Sequence, residues 1–304
     1  MQTLYFLIGP TASGKTALSI DWARQNGAEI LCADSPLVYK GMDIGTAKPT
    51  AEEQRAVAHH GIDLVEVSQR FSVGDYAVYA RQVVEKLLGE KKSVLIVGGS
   101  GFYLRSFFKA PTDEIPIGAD VIDEVARIYE KTGLPGLLDA LKRSGGEDLS
   151  GLDTLNPRRV MKALERVLGS GRGFQELRQL YESKTEPFPD MEKKVVMLSR
   201  SREDLQQRVR QRALAMLKAG LIGEVEALAG KGLRENPQTS GVIGYRETLR
   251  FLDGLINREE LLEEIVKDTL QLVRKQRTFF KQLPVDKTLQ LQGGAREDIQ
   301  TLFD

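Results

Sequence analysis

Residues 3–18 read TLYFLIGPTASGKTAL: an apolar run, Tyr5-Phe6-Leu7-Ile8, then Gly9-Pro10-Thr11-Ala12-Ser13-Gly14-Lys15-Thr16, then Ala17-Leu18 opening a helical stretch. This is G-x-x-x-x-G-K-T in the order strand, glycine loop, helix, the context that gives the motif its meaning. Glycines let backbone wrap a phosphate without Cβ clashes. Loop N–H groups and the positive end of the following helix dipole face the anion. Lys15 adds a mobile cation, and Thr16 offers a hydroxyl to a Mg²⁺ that bridges phosphate oxygens. The motif assigns a polyphosphate or pyrophosphate site. It does not say which phosphate compound binds, or whether a phosphoryl group moves.

Outward from the loop, the first third of the chain alternates strand and helix. Strands are expected at Thr3–Ile8, Glu29–Ala33, Ile62–Val67 and Ser93–Val97, and helices at Lys15–Gln25, Ala51–Val57 and Val73–Leu88. Val94-Leu95-Ile96-Val97 is continuously apolar, as suits a parallel strand buried on both faces. The alternation predicts a doubly wound α/β sheet, in which ligands bind at the carboxyl ends of the strands. Asp34 follows the second strand, and Ser100 follows Val97-Gly98-Gly99. Both are therefore placed at the edge that carries the glycine loop. A carboxylate there binds Mg²⁺ or acts as a base, unless it is an N-cap; a serine there is a ligand or a turn hydroxyl.

The chain has 304 residues, enough for one large or two ordinary domains. Its 43 basic and 43 acidic residues balance, so any nucleic-acid site must come from local clustering. Cys32 is the single cysteine, which excludes an intrachain disulfide and fits a reducing, cytoplasmic setting. It reads as a small core residue of the second strand. The N-terminus lacks a basic n-region, and no stretch approaches the roughly eighteen apolar residues of a membrane span. His59 and His60 are adjacent, and no cluster has metal-ligand spacing.

From Pro111 the texture changes. Pro111, Pro116, Pro135, Gly145, Gly146 and Gly151 punctuate short helical segments. Asn156-Pro157 reads as an N-cap with proline at N1. The helix that follows turns Val160, Leu164 and Val167 inward and exposes Arg158, Arg159, Lys162 and Arg166. Residues 111–190 are thus a mostly helical insertion, leaving 1–110 and 191–304 as the core. Val195–Leu198 returns to the sheet. Ser201 is expected to cap a helix running to Lys218 and ending at Gly220, with Arg202 in its first turn. A cation there is electrostatically misplaced and hints at an anionic partner. The last long helix begins at Asn257, with Glu260 completing a capping box. It ends Arg274-Lys275-Gln276-Arg277-Thr278-Phe279-Phe280. Basic residues at that end complement the helix dipole; interleaved with aromatics they also suit nucleic-acid backbone and stacked bases.

Several stretches together resemble one family, the tRNA dimethylallyltransferases: GPTASGKT at Gly9–Thr16, DSPLVYKGMDIGTAKP at Asp34–Pro49, HHGID at His59–Asp63, GGSGFYL at Gly98–Leu104, NPRRVMKAL at Asn156–Leu164, GLIGEV at Gly220–Val225, Gly244-Tyr245, and Arg274–Phe280. They occur in family order and cover most of the chain. The resemblance implies a core like that of the P-loop NTPases, with a parallel sheet and a helical insertion that binds the tRNA anticodon stem-loop. The reaction it implies moves a dimethylallyl group from dimethylallyl diphosphate to N6 of the adenosine at tRNA position 37, with Mg²⁺ assisting. Cytoplasmic location and a monomeric state are the corresponding expectations.

Carried onto this sequence, the resemblance makes Asp34 the base and places Ser100 near the reacting groups. Arg202 reaches the diphosphate, beside Gly9, Thr11, Ala12, Ser13, Gly14, Lys15 and Thr16. Ser35, Leu37, Val38, Tyr39, Lys40, Arg158, Arg159, Lys162, Gly244, Tyr245, Arg246, Arg274, Lys275, Gln276, Arg277 and Phe279 match segments that contact tRNA. The sequence departs from the family pattern at Leu37, often glutamine; at Ser100, usually threonine; at Gly241, often glutamine or arginine; and at Phe279, usually tryptophan. Asp123 and Glu124 stand where the family tends to place an arginine. Rival readings are an adenylate isopentenyltransferase with a mononucleotide acceptor, a small-molecule kinase, and a non-catalytic RNA-binding paralogue.

Overall fold

The computed structural model describes residues 2–111, 117–291 and 301–303. The chain divides into two compact units: residues 1–108 with 188–304, and residues 109–187. In the first unit, six parallel strands form one sheet: β1 (Gln2–Ile8), β2 (Ala28–Cys32), β3 (His59–His60), β4 (Ser93–Gly98), β5 (Met191–Ser199) and β6 (Lys287–Gln290), in the order β3-β2-β4-β1-β5-β6. The helices of this unit's first half are α1 (Lys15–Asn26), α2 (Ala51–Ala56), α3 (Val73–Gly89) and α4 (Gly101–Arg105).

β1 shows why the sheet is covered on both sides. Strand side chains alternate between faces. Leu4, Phe6 and Ile8 enter one apolar cluster, with α3 residues such as Tyr76 and Val84; Leu7 enters the other, with Ile20 and Trp22 of α1. β4 divides in the same way, Val94 and Ile96 against Leu95 and Val97. Each such side chain contributes about 1.5–3 kcal/mol by leaving water, which is why the apolar runs are continuous rather than alternating.

The carboxyl ends are brought level by register: Ile8 lies opposite Gly98 and Met197, and Cys32 opposite Val97. At Gly98 the backbones come so close that an added Cβ would stand 2.2 Å from the Ala33 carbonyl oxygen. Only glycine permits this approach. Gly98→Ala is expected to cost about 3 kcal/mol or more, since the colliding group is backbone; the urea midpoint of the purified variant measures it.

One expectation is corrected within the sheet, and one strand joins it that was not expected. The third strand is His59–His60 rather than Ile62–Val67. Gly61 and Asp63 take positive φ and turn the chain out of the ladder, so that Val65 makes only an isolated bridge to Tyr39. β6 follows the last long helix and pairs with β5; its Thr-Leu-Gln alternation is too short to have been read as a strand.

The second unit holds α5 (Ala119–Gly145), α6 (Pro157–Ser170) and α7 (Phe174–Glu182). α5 is broken at Gly133, whose φ is 63°, and Pro135 lies just beyond the break. Asn156 caps α6 by accepting from the Arg159 N–H at 3.3 Å. Val160, Leu164 and Val167 pack with Val125, Leu137 and Leu141 into this unit's own core. Arg158, Arg159 and Lys162 are exposed, whereas Arg166 is half-buried. Pro116 lies outside the described residues.

The first unit is completed by α8 (Arg202–Ala219), α9 (Leu221–Leu228), α10 (Pro237–Ser240), α11 (Tyr245–Leu252) and α12 (Arg258–Phe280). The Ser201 cap, the left-handed Gly220 and the Asn257–Glu260 capping box are present as expected.

Candidate active site

The glycine loop joins β1 to α1, and Gly14 adopts φ 100° immediately before the helix. That left-handed conformation aims the loop backbone across the end of the helix, where amide N–H groups lack intrahelical partners. Lys15 folds over the loop, its Nζ donating to the Gly9 carbonyl at 2.9 Å and the Pro10 carbonyl at 3.0 Å. Burial lowers its pKa from the ordinary lysine value. Opposite stand arginines of the β5–α8 segment. Arg200 donates to the Ser13 carbonyl at 2.7 Å and pairs with Asp204, also at 2.7 Å. Arg208 donates to the Ala12 carbonyl at 2.8 Å. Arg212 donates to the Thr46 carbonyl at 3.0 Å, and burial lowers its pKa also.

Asp34 leaves β2 as the residue before a short 3-10 turn, Ser35–Val38. It does not act as a side-chain cap there. Instead its Oδ1 accepts from the Gly99 N–H at 2.6 Å. Its other oxygen has no hydrogen bond among the described residues. Ser100 hydrogen-bonds within the same turn: its Oγ accepts from the Ser35 N–H at 2.8 Å and lies 3.2 Å from the Ser35 hydroxyl.

Loop and carboxylate open into one cavity of about 560 Å³. Lys15, Arg208 and Arg212 give it a cationic wall beside the Thr11 and Thr16 hydroxyls, and Asp34 and Glu53 are also in its lining. Ile30, Cys32, Leu37 and Val97 give it an apolar one. The Cys32 thiol is pushed far up by burial and by the Asp34 charge, so it is not a nucleophile at neutral pH. Such a cavity suits an anion joined to a small hydrocarbon.

The segment that follows Asp34 is held by two polar hubs, one half-buried and one buried. Glu224 accepts from the N–H groups of Asp43 (3.0 Å), Ile44 (2.7 Å) and Gly45 (3.1 Å), and from the Tyr245 hydroxyl (2.5 Å). Lys48, only 8% exposed, donates to the Tyr39 carbonyl and pairs with Asp43 at 2.6 Å and Asp63 at 2.5 Å. Lys48→Met removes the cation and leaves two carboxylates together. The expected cost is about 1–3 kcal/mol, kept modest because both carboxylates reach solvent; chemical denaturation of the variant measures it. These two hubs were not read from the sequence. A lysine and a glutamate within family-like stretches carry no local sign that they gather several partners.

Other expected site residues fall differently. Arg202 is exposed at the start of α8 and does not line the cavity; the arginines against the loop are Arg200 and Arg208, with Arg212 in the wall. Arg208 and Arg212, four residues apart, lie on one face of α8. Leu37, Val38, Tyr39 and Tyr245 are buried, and of the four only Leu37 lines the cavity. Ser35 and Lys40 are exposed, Lys40 paired with Glu66 at 2.6 Å. Gly244 is buried behind the Glu247 carboxylate, which accepts its N–H at 2.6 Å. Arg246 is exposed and pairs with Glu247 and Asp268. Arg274 and Lys275 are exposed on α12. Phe279 packs edge-on against Phe102 at 5.2 Å, with the Arg105 guanidinium lying over both rings. In the second unit, Arg159 pairs with Asp153 at 3.2 Å and Lys162 with Glu165 at 2.6 Å.

Among the described residues, no group of three His, Cys, Asp or Glu side chains is placed to hold a metal ion alone. The cavity instead offers the Thr16 hydroxyl and the Asp34 carboxylate. That sparse oxygen set fits Mg²⁺, which keeps waters and takes phosphate oxygens beside one or two protein ligands.

A model of the IPP transferase family matches residues 37–283. A tRNA dimethylallyltransferase of Opitutus terrae is 41% identical over 302 residues, which cover 99% of this chain and 96% of that one. One of Chlamydia felis is 34% identical, covering 98% of this chain and 87% of that one. The crystal structure of a tRNA Δ(2)-isopentenylpyrophosphate transferase from Staphylococcus epidermidis superposes with a TM-score of 0.68 at 29% identity, covering 100% of this chain and 96% of the other.

Proposed function

The chain belongs to the IPP transferase family, and on that premise we propose that it transfers a dimethylallyl group from dimethylallyl diphosphate to N6 of the adenosine at position 37 of tRNA, releasing diphosphate. One observation carries the reading: a single cavity joins the cationic glycine loop, an apolar wall and the Asp34 carboxylate.

The chemistry follows from the residues. Adenine N6 is a weak nucleophile because its lone pair is delocalised into the ring. As its bond to the allylic carbon forms and the carbon–oxygen bond to diphosphate breaks, the N6 proton passes to Asp34. The negative charge then grows on the departing diphosphate. The loop amides, Lys15, Arg208 and Arg212 are placed to stabilise it. Mg²⁺, held by Thr16, would neutralise further charge on the diphosphate when bound. The adenosine must leave the anticodon-loop stack, which is cheaper in a loop than in a duplex. The exposed cations Lys40, Arg246, Arg274 and Lys275 of the first unit, with Phe279, and separately Arg158, Arg159 and Lys162 of the second, are proposed to contact the tRNA. Among the described residues, no helix is long and apolar enough to cross a membrane. We place the reaction in the cytoplasm, with the enzyme acting as a monomer.

Radiolabelled dimethylallyl diphosphate offered with total tRNA, AMP and ATP tests the reading. Label is expected in tRNA alone. Label only in AMP or ATP would transfer the chain to the mononucleotide-acceptor class, and label nowhere, with tRNA still bound, would make it a non-catalytic binder.

A further inference from the structure

Three loops carry the proposed chemistry: the glycine loop after β1, the Asp34 turn after β2 and the Gly98-Gly99 turn after β4. One side chain from a distant helix touches two of them. Gln276 of α12 accepts the Thr11 N–H on its Oε1 at 2.9 Å and donates its Nε2 to the Gly99 carbonyl at 3.0 Å. The N–H of Gly99 is the group that holds Asp34 Oδ1 at 2.6 Å. The three parts converge so closely that a Cβ added to Gly99 would lie 2.5 Å from Gln276 Nε2, 3.2 Å from Asp34 Oδ1 and 3.2 Å from the Gly9 carbonyl. Beside it, Arg277 donates to the Arg200 carbonyl at 2.6 Å, fixing the end of α12 to β5.

The side-chain amide of Gln276 is thus engaged at both ends by backbone. An amide serves here where another group would not, because the contact needs one acceptor and one donor on a single planar group. Its neighbours Arg274 and Lys275 are exposed, whereas Gln276 is turned inward.

We infer that Gln276 is a positioning residue, which sets the Asp34 carboxylate in register with the diphosphate loop, rather than a contact to RNA. The inference rests on the proposed prenyl transfer. Base and leaving-group site sit on different strands, and errors near an ångström in such placement cost about 100-fold in rate. Losing the brace therefore lowers the rate of the chemical step and leaves RNA affinity alone.

The test compares wild type with Gln276→Ala and Gln276→Glu. The glutamate variant is nearly isosteric and keeps an acceptor for Thr11, but it cannot donate to Gly99. Transfer is followed at saturating tRNA and donor, and tRNA binding is measured separately by filter retention. Both variants are expected to lose about 10- to 100-fold in kcat, with the tRNA Kd within about twofold of wild type. A tRNA Kd weakened about tenfold with unchanged kcat would make Gln276 an RNA contact and overturn the inference; so would wild-type kcat in both variants. If the alanine variant does not fold, the glutamate variant decides alone. Hydrogen–deuterium exchange of the free protein gives a readout independent of activity. Amides of residues 9–14 should exchange faster in Gln276→Ala than in wild type, and unchanged exchange would show that no brace exists. If wild type itself transfers no label, the functional reading falls while this exchange measurement still decides the brace.

Discussion

Asp34→Asn is expected to slow prenyl transfer by about 1,000-fold, within the range general-base catalysis supplies, while donor binding stays within about twofold. The amide is nearly the same shape as the carboxylate. It still presents an oxygen to the Gly99 N–H, so the turn should keep its geometry. What is lost is the capacity to take the N6 proton. Single-turnover transfer of labelled donor to tRNA, with donor affinity measured in parallel, separates the two effects. A rate near wild type would remove Asp34 from the mechanism, and a matching loss of donor affinity would recast it as part of the phosphate site.

Lys15→Ala is expected to reduce kcat/KM for the donor by about 100- to 1,000-fold, the usual cost of deleting one preorganised charge-stabilising group. Lys15 now bonds two carbonyls of its own loop, Gly9 and Pro10, and a diphosphate would offer it a stronger, charged acceptor. Burial lowers the lysine pKa below its ordinary 10.5 in the free protein. The cation is therefore lost at a lower pH than from a free lysine. Donor affinity should weaken as pH rises through the lowered lysine pKa, and the variant should lack this limb. Titration calorimetry with the donor across pH reads both. An alanine variant with wild-type donor affinity and rate would show that the loop holds the diphosphate through its amides alone.

How far the sequence carried depends on the kind of signal. The glycine loop was legible because phosphate binding by backbone demands glycines at fixed spacing between a strand and a helix. The central strands were legible because burial on both faces demands unbroken apolar runs. Asp34 and the Gly99 turn followed from the rule that ligands gather at carboxyl strand ends. The misses share a different cause. β3 was placed too late because the backbone reversal at Gly61 and Asp63 outweighs the β-branched composition of the segment after it. Leu37, Val38, Tyr39 and Tyr245 were read from their motif, and the motif carries no sign that all four side chains are buried. Glu224, Lys48 and Gln276 act across sequence distances that no local pattern records. Arg202 was favoured over Arg200 and Arg208, because only the fold shows which arginines meet the loop.

The bond between Thr11 and Gln276 spans 265 residues. A ribosome releases the glycine loop early and α12 near the end of synthesis. Until that helix emerges, the nascent chain has strands and apolar faces to bury but cannot close the region around its reactive carboxylate. Long-range closure of this kind is reached late in folding, because the entropy of the intervening loop must be overcome first. Fragments truncated before α12 should therefore bind neither substrate productively, and a cell that makes them accumulates inert protein rather than an unregulated enzyme.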